Sequence, residues 1–265
     1  MGNSVVDVAI EVLKERSKDI YDDGLKPATK ESGEALQAIV GLFNNVVLYP
    51  VKKANITFVY KLDKFKQDME KKTDKIPSDK LVDPPLAIAG NIMESLKYTF
   101  DVKKIREMYI NLLASAMNLD TVKLTHTAYV EIIKSMMPLD AIIFQKIVNY
   151  EHNLACGRVT IGFDTKVYTN AMPEMFIPDL LCEEDPFLIS SSITNLCRLG
   201  LITRRIDEMA DYNYDSYKEN PYVLQQLEIY KKLDTQLNLE INVGSEVIYI
   251  NNFGKNFATV CLDKK

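Results

Sequence analysis

The sequence is poor in the residues that most often carry catalysis and metal binding. Its 265 residues include two histidines, His126 and His152, and four cysteines without a Cys-x-x-Cys pair. Histidine is the usual general acid or base, and zinc sites need closely spaced Cys or His ligands. The ten glycines form neither a Gly-x-Gly-x-x-Gly motif nor a P-loop. The sequence therefore predicts no metal site and no cofactor.

Motifs for a catalytic nucleophile are also missing. No serine lies in a Gly-x-Ser-x-Gly elbow. A catalytic triad is defined by geometry rather than by spacing, so the sequence leaves a triad built on Ser190, Ser191 or Ser192 as an alternative. A catalytic site formed by carboxylates that meet only in the folded protein is a second alternative. We predict that the protein is not an enzyme, with a hydrolase or a nuclease as the open alternative.

One acidic stretch matches the start of a calcium-binding loop. Residues 211–215 place Asp, Asn and Asp at the first three ligand positions. Ser216 stands where the loop requires glycine, and Tyr222 stands where it requires a bidentate glutamate. Because the carboxylates are too few for Ca²⁺, we expect these residues to be solvated instead.

Charge and cysteine usage indicate the compartment. Acidic side chains outnumber basic ones by 37 to 32, and the excess lies in residues 138–265. This balance disfavours general affinity for nucleic acid or anionic membranes. The N-terminus lacks the pattern of a signal peptide, and Val6 occupies the Ser/Thr position of a myristoylation motif. Since separated cysteines suit a reducing environment, we expect a cytoplasmic protein.

Residues 35–51 are apolar enough to raise the question of a membrane. They are short for a span, and they contain Gly41, Asn44, Asn45 and Pro50. We predict a buried helix here. A membrane-directed effector stays open as an alternative.

Apolar periodicity predicts a helical N-terminal region over residues 1–75 and a helical core block over residues 76–137. The expected helices cover residues 5–24, 33–49, 54–72, 105–117 and 129–137. Ser4 and Asp7 would cap the first helix. The three prolines of residues 73–85 predict a linker. Methionines in the last two helices are expected to fill the core.

The third block, residues 138–265, has the element order of a winged helix, a helix-turn-helix relative with an added β-hairpin. The expected helices cover residues 140–150, 189–199 and 253–262. The expected strands cover residues 158–163 and 246–250, and a further strand begins at residue 201. Gly200 suits a left-handed helix cap. Residues 207–243 would form an enlarged wing, in which residues 222–237 could form a helix. The predicted fold is thus mostly α with small β, ending in a winged-helix-like domain with a short antiparallel hairpin.

A winged helix raises the question of DNA binding. Arg198, Arg204 and Arg205 would then meet phosphates or guanines. The block is net negative, however, and residues 183–185, Glu-Glu-Asp, come directly before the helix that would enter the groove. We predict that these arginines contact a partner, and we favour a protein over nucleic acid. Two alternatives remain, namely that the protein forms a homo-oligomer and that it is a nucleic-acid-binding regulator.

Short motifs in a fixed order carry a family resemblance. They are Ile76-Pro77, Val82-Asp83-Pro84-Pro85, Arg106-Glu107-Met108-Tyr109, Leu112-Leu113-Ala114-Ser115-Ala116-Met117, His126, Tyr129-Val130-Glu131-Ile132-Ile133, Pro138-Leu139-Asp140-Ala141, Leu199-Gly200-Leu201-Ile202 and Phe253-Gly254-Lys255-Asn256-Phe257. In this order they resemble the abortive infection alpha (Abi-alpha) family. This is a bacterial family that is defined by a domain of unknown function and is associated with phage defence. The family more often has His-Pro where this chain has His126-Thr127.

The resemblance implies a role in limiting phage propagation, through arrest or death of the infected cell, and it supplies no catalytic residues. We therefore expect a non-enzymatic phage-defence protein that acts through protein–protein contacts. His126 is expected to start a helix by bonding to the backbone rather than to act in catalysis.

Overall fold

The computed structural model describes the following residues: 32–48, 55–150, 153–164, 167–169, 171–180, 184–233 and 238–263. The helix predicted over residues 5–24 and its cap at Ser4 and Asp7 lie outside them, as do His152 and Cys182. The chain forms two compact units. The first unit comprises Met1–Pro138 and Asn256–Lys265, and the second comprises Leu139–Lys255.

The described part of the chain is mostly helical with a small antiparallel sheet, which agrees with the predicted fold class at this level. Its α-helices are α1 (Ser32–Phe43), α2 (Asn55–Thr73), α3 (Leu86–Thr99), α4 (Lys103–Ala116), α5 (Thr127–Lys134), α6 (Pro138–Val148), α7 (Pro186–Arg198), α8 (Pro221–Leu233) and α9 (Asn252–Cys261). Its strands are β1 (Leu154–Asp164), β2 (Val167–Thr169), β3 (Ile202–Arg205) and β4 (Glu240–Ile250).

Helix α4 lies at the centre of the first unit. Its predicted apolar stripe is buried, and the Tyr109 hydroxyl donates to the carbonyl of Val130 at 3.3 Å. The end of α9 packs in the same unit. Asn111 Nδ2 donates to the carbonyl of Cys261 at 3.2 Å, and Phe257 is fully buried. Burial of a stripe at helical spacing therefore organises this core.

The apolar segment at the start of the described chain is buried, as predicted. Ile39 and Phe43 of α1 are fully buried, and the ring of Phe43 stacks on that of Phe65 with 4.0 Å between centroids. No helix in the ranges given above combines the length and the apolar character that crossing a membrane requires.

The prediction that residues 73–85 form a linker is wrong. The prolines do keep this segment out of an α-helix, but its backbone pairs with the turn after α4. The amide of Val82 donates to Met117 and the amide of Leu119 to Lys80, each at 2.9 Å. Leu81 and Val82 are buried. Helix α3, which follows directly, was not predicted, although it buries Ile88, Ala89, Ile92, Met93 and Leu96.

Two smaller predictions for the first unit have different outcomes. His126 caps α5, because its Nδ1 accepts a hydrogen bond from the Ala128 amide at 3.0 Å, as expected. Met108, Met117 and Met136 are buried core residues. Met137, however, is 68% exposed, so its prediction as core filler is wrong. Helix α5 ends at Lys134, and Met137 lies beyond it.

The sheet of the second unit has the order β2-β1-β4-β3, with antiparallel pairing throughout. Arg204 lies opposite Ile248, and successive side chains of a strand point to opposite faces. Arg204, Glu246 and Ile248 therefore share one face, while Val247 and Tyr249 share the other. Strands β1 and β4 are longer than predicted because polar and glycine positions interrupt their apolar alternation.

The segment predicted as an enlarged wing, residues 207–243, contains α8, close to the helix expected over residues 222–237, and packs as a small core with part of the sheet. The buried members of this core are Ala155, Val159, Ile161, Ala171, Met172, Phe176, Tyr214, Tyr217, Val223, Leu227 and Leu239. The Tyr214 hydroxyl donates to the carbonyl of Glu246 at 3.0 Å, which ties this segment to β4.

Glycine is required at two positions around α7 and α9. Gly200 follows α7 with φ of +73°, the predicted left-handed cap. Gly254, in the first turn of α9, approaches the backbone of Leu201. A Cβ atom at Gly254 would lie 1.9 Å from the Leu201 carbonyl oxygen, so the backbone itself would have to move.

We predict that Gly254→Ala destabilises the protein by about 1–3 kcal/mol or more, because the added methyl group overlaps the main chain. Gly90→Ala is the matched control. A Cβ atom at Gly90, inside α3, has no neighbour within 4 Å, so alanine should stabilise the helix by about 0.5–1 kcal/mol. Urea unfolding of both variants measures the difference. Equal stability of the two variants would contradict the close approach.

Candidate functional site

Helix α7 is the element that a winged-helix protein would present to its partner, and several contacts fix it. The Asp185 carboxylate caps its start by accepting from the Phe187 amide at 2.7 Å. Asn195 Nδ2 donates to the buried carboxylate of Asp140 on α6 at 2.8 Å. The hydroxyl of Ser190, also buried, accepts from the Met175 amide at 3.1 Å. These contacts leave one face of α7 in solvent.

The exposed face of α7 is apolar at its start and carries a single cation. We define the α7 face as Phe187, Leu188, Ser191, Thr194 and Arg198, all of which are exposed. Phe187 is 43% and Leu188 is 53% exposed. Both hydroxyls donate within the helix, Ser191 to Phe187 and Thr194 to Ser190. The face therefore offers apolar area, without the row of cations that phosphate binding requires.

The three predicted contact arginines lie in different places. Arg198 is on the α7 face, where its guanidinium donates to Asn195 Oδ1 at 2.8 and 3.0 Å. Arg204 and Arg205 are neighbours in β3, so their side chains point to opposite faces of the sheet. Arg205 is exposed at the end of the strand and forms no ion pair with any described residue. The structure does not gather these arginines into one cationic surface.

Arg204 belongs to an internal ion cluster. Its Nη2 donates to Glu246 Oε1 at 2.7 Å, its Nε donates to Glu246 Oε2, and its Nη1 donates to Glu174 Oε1 at 2.7 Å. Glu246 is only 2% exposed, and Arg158 Nη2 lies 3.4 Å from Glu246 Oε1. The hydrogen bond to Glu246 raises the pKa of Arg204, and the hydrogen bond from Arg204 lowers the pKa of Glu174. This guanidinium is occupied by carboxylates of its own chain.

Sequence reasoning missed Glu246, although its position gave a signal. Because side chains of a strand alternate between its two faces, Glu246 lies on the same face of β4 as Ile248 and Ile250. The alternation thus indicated a charged residue on an apolar face. A buried carboxylate requires cationic or hydrogen-bonding partners. The alternation of β3 places Arg204 on that same face.

The cysteines of the described residues are reduced. Cys156 and Cys261 are buried and Cys197 is half-buried. Burial raises the pKa of Cys156 to about 12, and it also raises the pKa of Cys197 and Cys261. A thiol with a raised pKa carries little thiolate at neutral pH, so these residues pack as small apolar groups.

The acidic stretch at residues 211–215 forms a turn. The Asn213 side chain accepts from the Asp215 amide at 3.1 Å, which begins a 3₁₀ turn, and Tyr214 is buried between exposed carboxylates. Across the described ranges, three or more His, Cys, Asp or Glu side chains do not come together in a group that could hold a metal ion.

The described residues thus form a helical first unit and a second unit with a small antiparallel sheet and a capped helix α7. The family model for abortive infection alpha matches residues 57–261. The chain belongs to the abortive infection alpha family. No curated protein and no solved structure matches it significantly.

We predict that Arg204→Met destabilises the second unit by about 3–5 kcal/mol, because it leaves the Glu246 carboxylate buried with only the half-exposed Arg158 nearby. Arg158→Met should cost less, about 1 kcal/mol, because Arg158 is half-exposed and Arg204 still holds the Glu246 carboxylate. The double variant Arg204→Met, Glu246→Leu should recover much of the loss, since no buried charge remains. Urea unfolding measures all three variants. A double variant no more stable than Arg204→Met would contradict this account.

Proposed function

We propose that this protein limits phage propagation without catalysing a reaction, by binding a protein partner through the α7 face. The single observation that carries the proposal is the composition of that face, with exposed Phe187 and Leu188 and one cation. Partly exposed aromatic and aliphatic side chains are typical of the centre of protein interfaces. Membership of the abortive infection alpha family supports the defence role.

We infer that the second unit is a winged-helix-like module with an enlarged wing. The strand order β1-β4-β3 supports this assignment, since α7 leads through Gly200 into β3 and the returning strand β4 lies between β3 and β1. The enlarged wing corresponds to the packed segment that contains α8. In this module, α7 occupies the place of the recognition helix.

A nucleic-acid-binding regulator is the second candidate, and the side chains of α7 argue against it. Of the three arginines, Arg204 is held by Glu246 and Glu174, which leaves Arg198 alone on the α7 face. Affinity for the phosphate backbone rises with the number of cations that meet it. One cation on the α7 face, in a unit rich in carboxylates, is too few.

A membrane-directed effector, the third candidate, would use the apolar residues 35–51. The apolar side chains of Ile39, Leu42 and Phe43 in this range are buried in the first unit instead, where Phe43 stacks on Phe65. A helix face that is already buried has little apolar area left for lipid.

We predict that a susceptible bacterium expressing the chain plates fewer phage than the same strain with an empty vector. At high phage dose the infected culture should also stop growing before progeny phage appear. Efficiency of plating and single-cycle phage yield measure the two effects. Equal plating over a broad phage panel would contradict a defence role.

Gel-shift titration distinguishes the nucleic-acid candidate. We expect no shift of duplex DNA at either low or physiological salt, because phosphate contacts are too few. If the duplex shifts at low salt and Arg198→Gln or Arg205→Gln weakens the shift, the regulator is the better account.

A further inference from the structure

The second unit contains a cavity that the proposed function does not use. Its volume is about 1020 Å³, and it opens near the end of the sheet, between the last residues of β3 and β4, the end of α6 and the loop after β3. Sites for small molecules typically occupy about 300–1000 Å³. Ile147, Leu154 and Ile248, all buried, are also among the residues that line it.

Two cations line this cavity, although the surrounding unit is rich in carboxylates. Arg205 comes from the end of β3 and Lys255 from the first turn of α9, and both side chains are exposed. Arg205 has no ion-pair partner among the described residues, so its guanidinium has all of its donors available. Guanidinium and ammonium groups in one concave site favour an anionic ligand.

Two tyrosines line the same cavity. Tyr249 is part of β4, and Arg205 lies opposite Val247, so Arg205 and Tyr249 are diagonal neighbours on one face of the sheet. Tyr150, after α6, is 42% exposed at the wall. A half-buried ring beside an arginine, as at Tyr249, can stack with a planar ligand group.

One acceptor completes the lining. Asp211 contributes to the wall and has a φ of +64°, a left-handed conformation that few residues other than glycine adopt. Its carboxylate is exposed and can accept hydrogen bonds from ligand hydroxyl or amine groups. A purely anionic ligand without such donors would be repelled by this carboxylate.

We propose that this cavity binds a small anion with a planar ring and hydroxyl groups, the chemistry of a nucleoside monophosphate. Arg205 and Lys255 hold the phosphate, Tyr249 and Tyr150 contact the ring, and Asp211 accepts from a hydroxyl or an exocyclic amine. The size of the cavity accommodates one such molecule.

Isothermal titration calorimetry of the full chain tests the site, with AMP, GMP, CMP and UMP as probes, and adenosine and inorganic phosphate as partial ligands. At least one nucleotide is expected to bind more tightly than either partial ligand. Arg205→Gln should weaken that binding about tenfold or more, because a charge-assisted contact is lost. Tyr249→Phe should keep the affinity and Tyr249→Ser should lower it.

The control is Arg198→Gln, an arginine of the same unit on the α7 face, which should leave binding unchanged. Thermal unfolding without ligand checks that Arg205→Gln and Tyr249→Ser remain folded, and Arg205→Lys, which keeps the charge, should retain part of the affinity. Absence of binding by all four nucleotides at millimolar concentration overturns the proposal. So does binding that Arg205→Gln leaves unchanged, or inorganic phosphate binding as tightly as the nucleotides.

Discussion

A carboxylate buried in the middle of a sheet must be matched by cations, and Glu246 is matched by Arg204 and Arg158. This requirement determines much of the second unit. Arg204 is held on the inner face of β3, where it also binds Glu174 on the loop before α7. An arginine that the sequence offers as a surface contact is thereby directed inward, and Arg198 is the cation that the α7 face presents.

The opposite face of the sheet, which carries Val247 and Tyr249, is also packed against other residues. The segment between β3 and β4 packs its tyrosines against the sheet and against Phe176, and the Tyr214 hydroxyl binds the backbone of Glu246. The same residue of β4 thus joins the ion cluster through its side chain and the tyrosine-rich core through its carbonyl. Among the described residues, the α7 face and the cavity at the end of the sheet remain accessible beside these contacts.

The sequence predicted the elements whose periodicity is strong and local. The stripe of α4, the cap at Gly200 and the cap at His126 need only neighbouring residues, and the structure confirms each. Helix α3 was missed, because Gly90 and Asn91 dilute its apolar pattern. The linker prediction failed since the pairing of Val82 with Met117 joins positions distant in the chain.

The candidate site could be predicted only in part, because it also depends on contacts between residues that are distant in the sequence. Composition indicated that the second unit is too acidic for general phosphate binding, and the α7 face is consistent with that. Whether an arginine points outward depends on strand register, and the pairing of Arg204 with Ile248 cannot be read from either strand alone. The cavity is also hidden from sequence, because residues from α6, β3, β4 and α9 meet only in the folded unit.

We propose that a protein contact through the α7 face carries the defence activity. Efficiency of plating tests this contact, with the double variant Phe187→Ser, Leu188→Ser compared against Leu233→Ser, which removes an exposed apolar side chain from α8. All chains should be expressed at equal levels and remain folded. We expect the double variant to lose protection while Leu233→Ser keeps it. Full protection by the double variant would exclude the α7 face as the contact that carries defence.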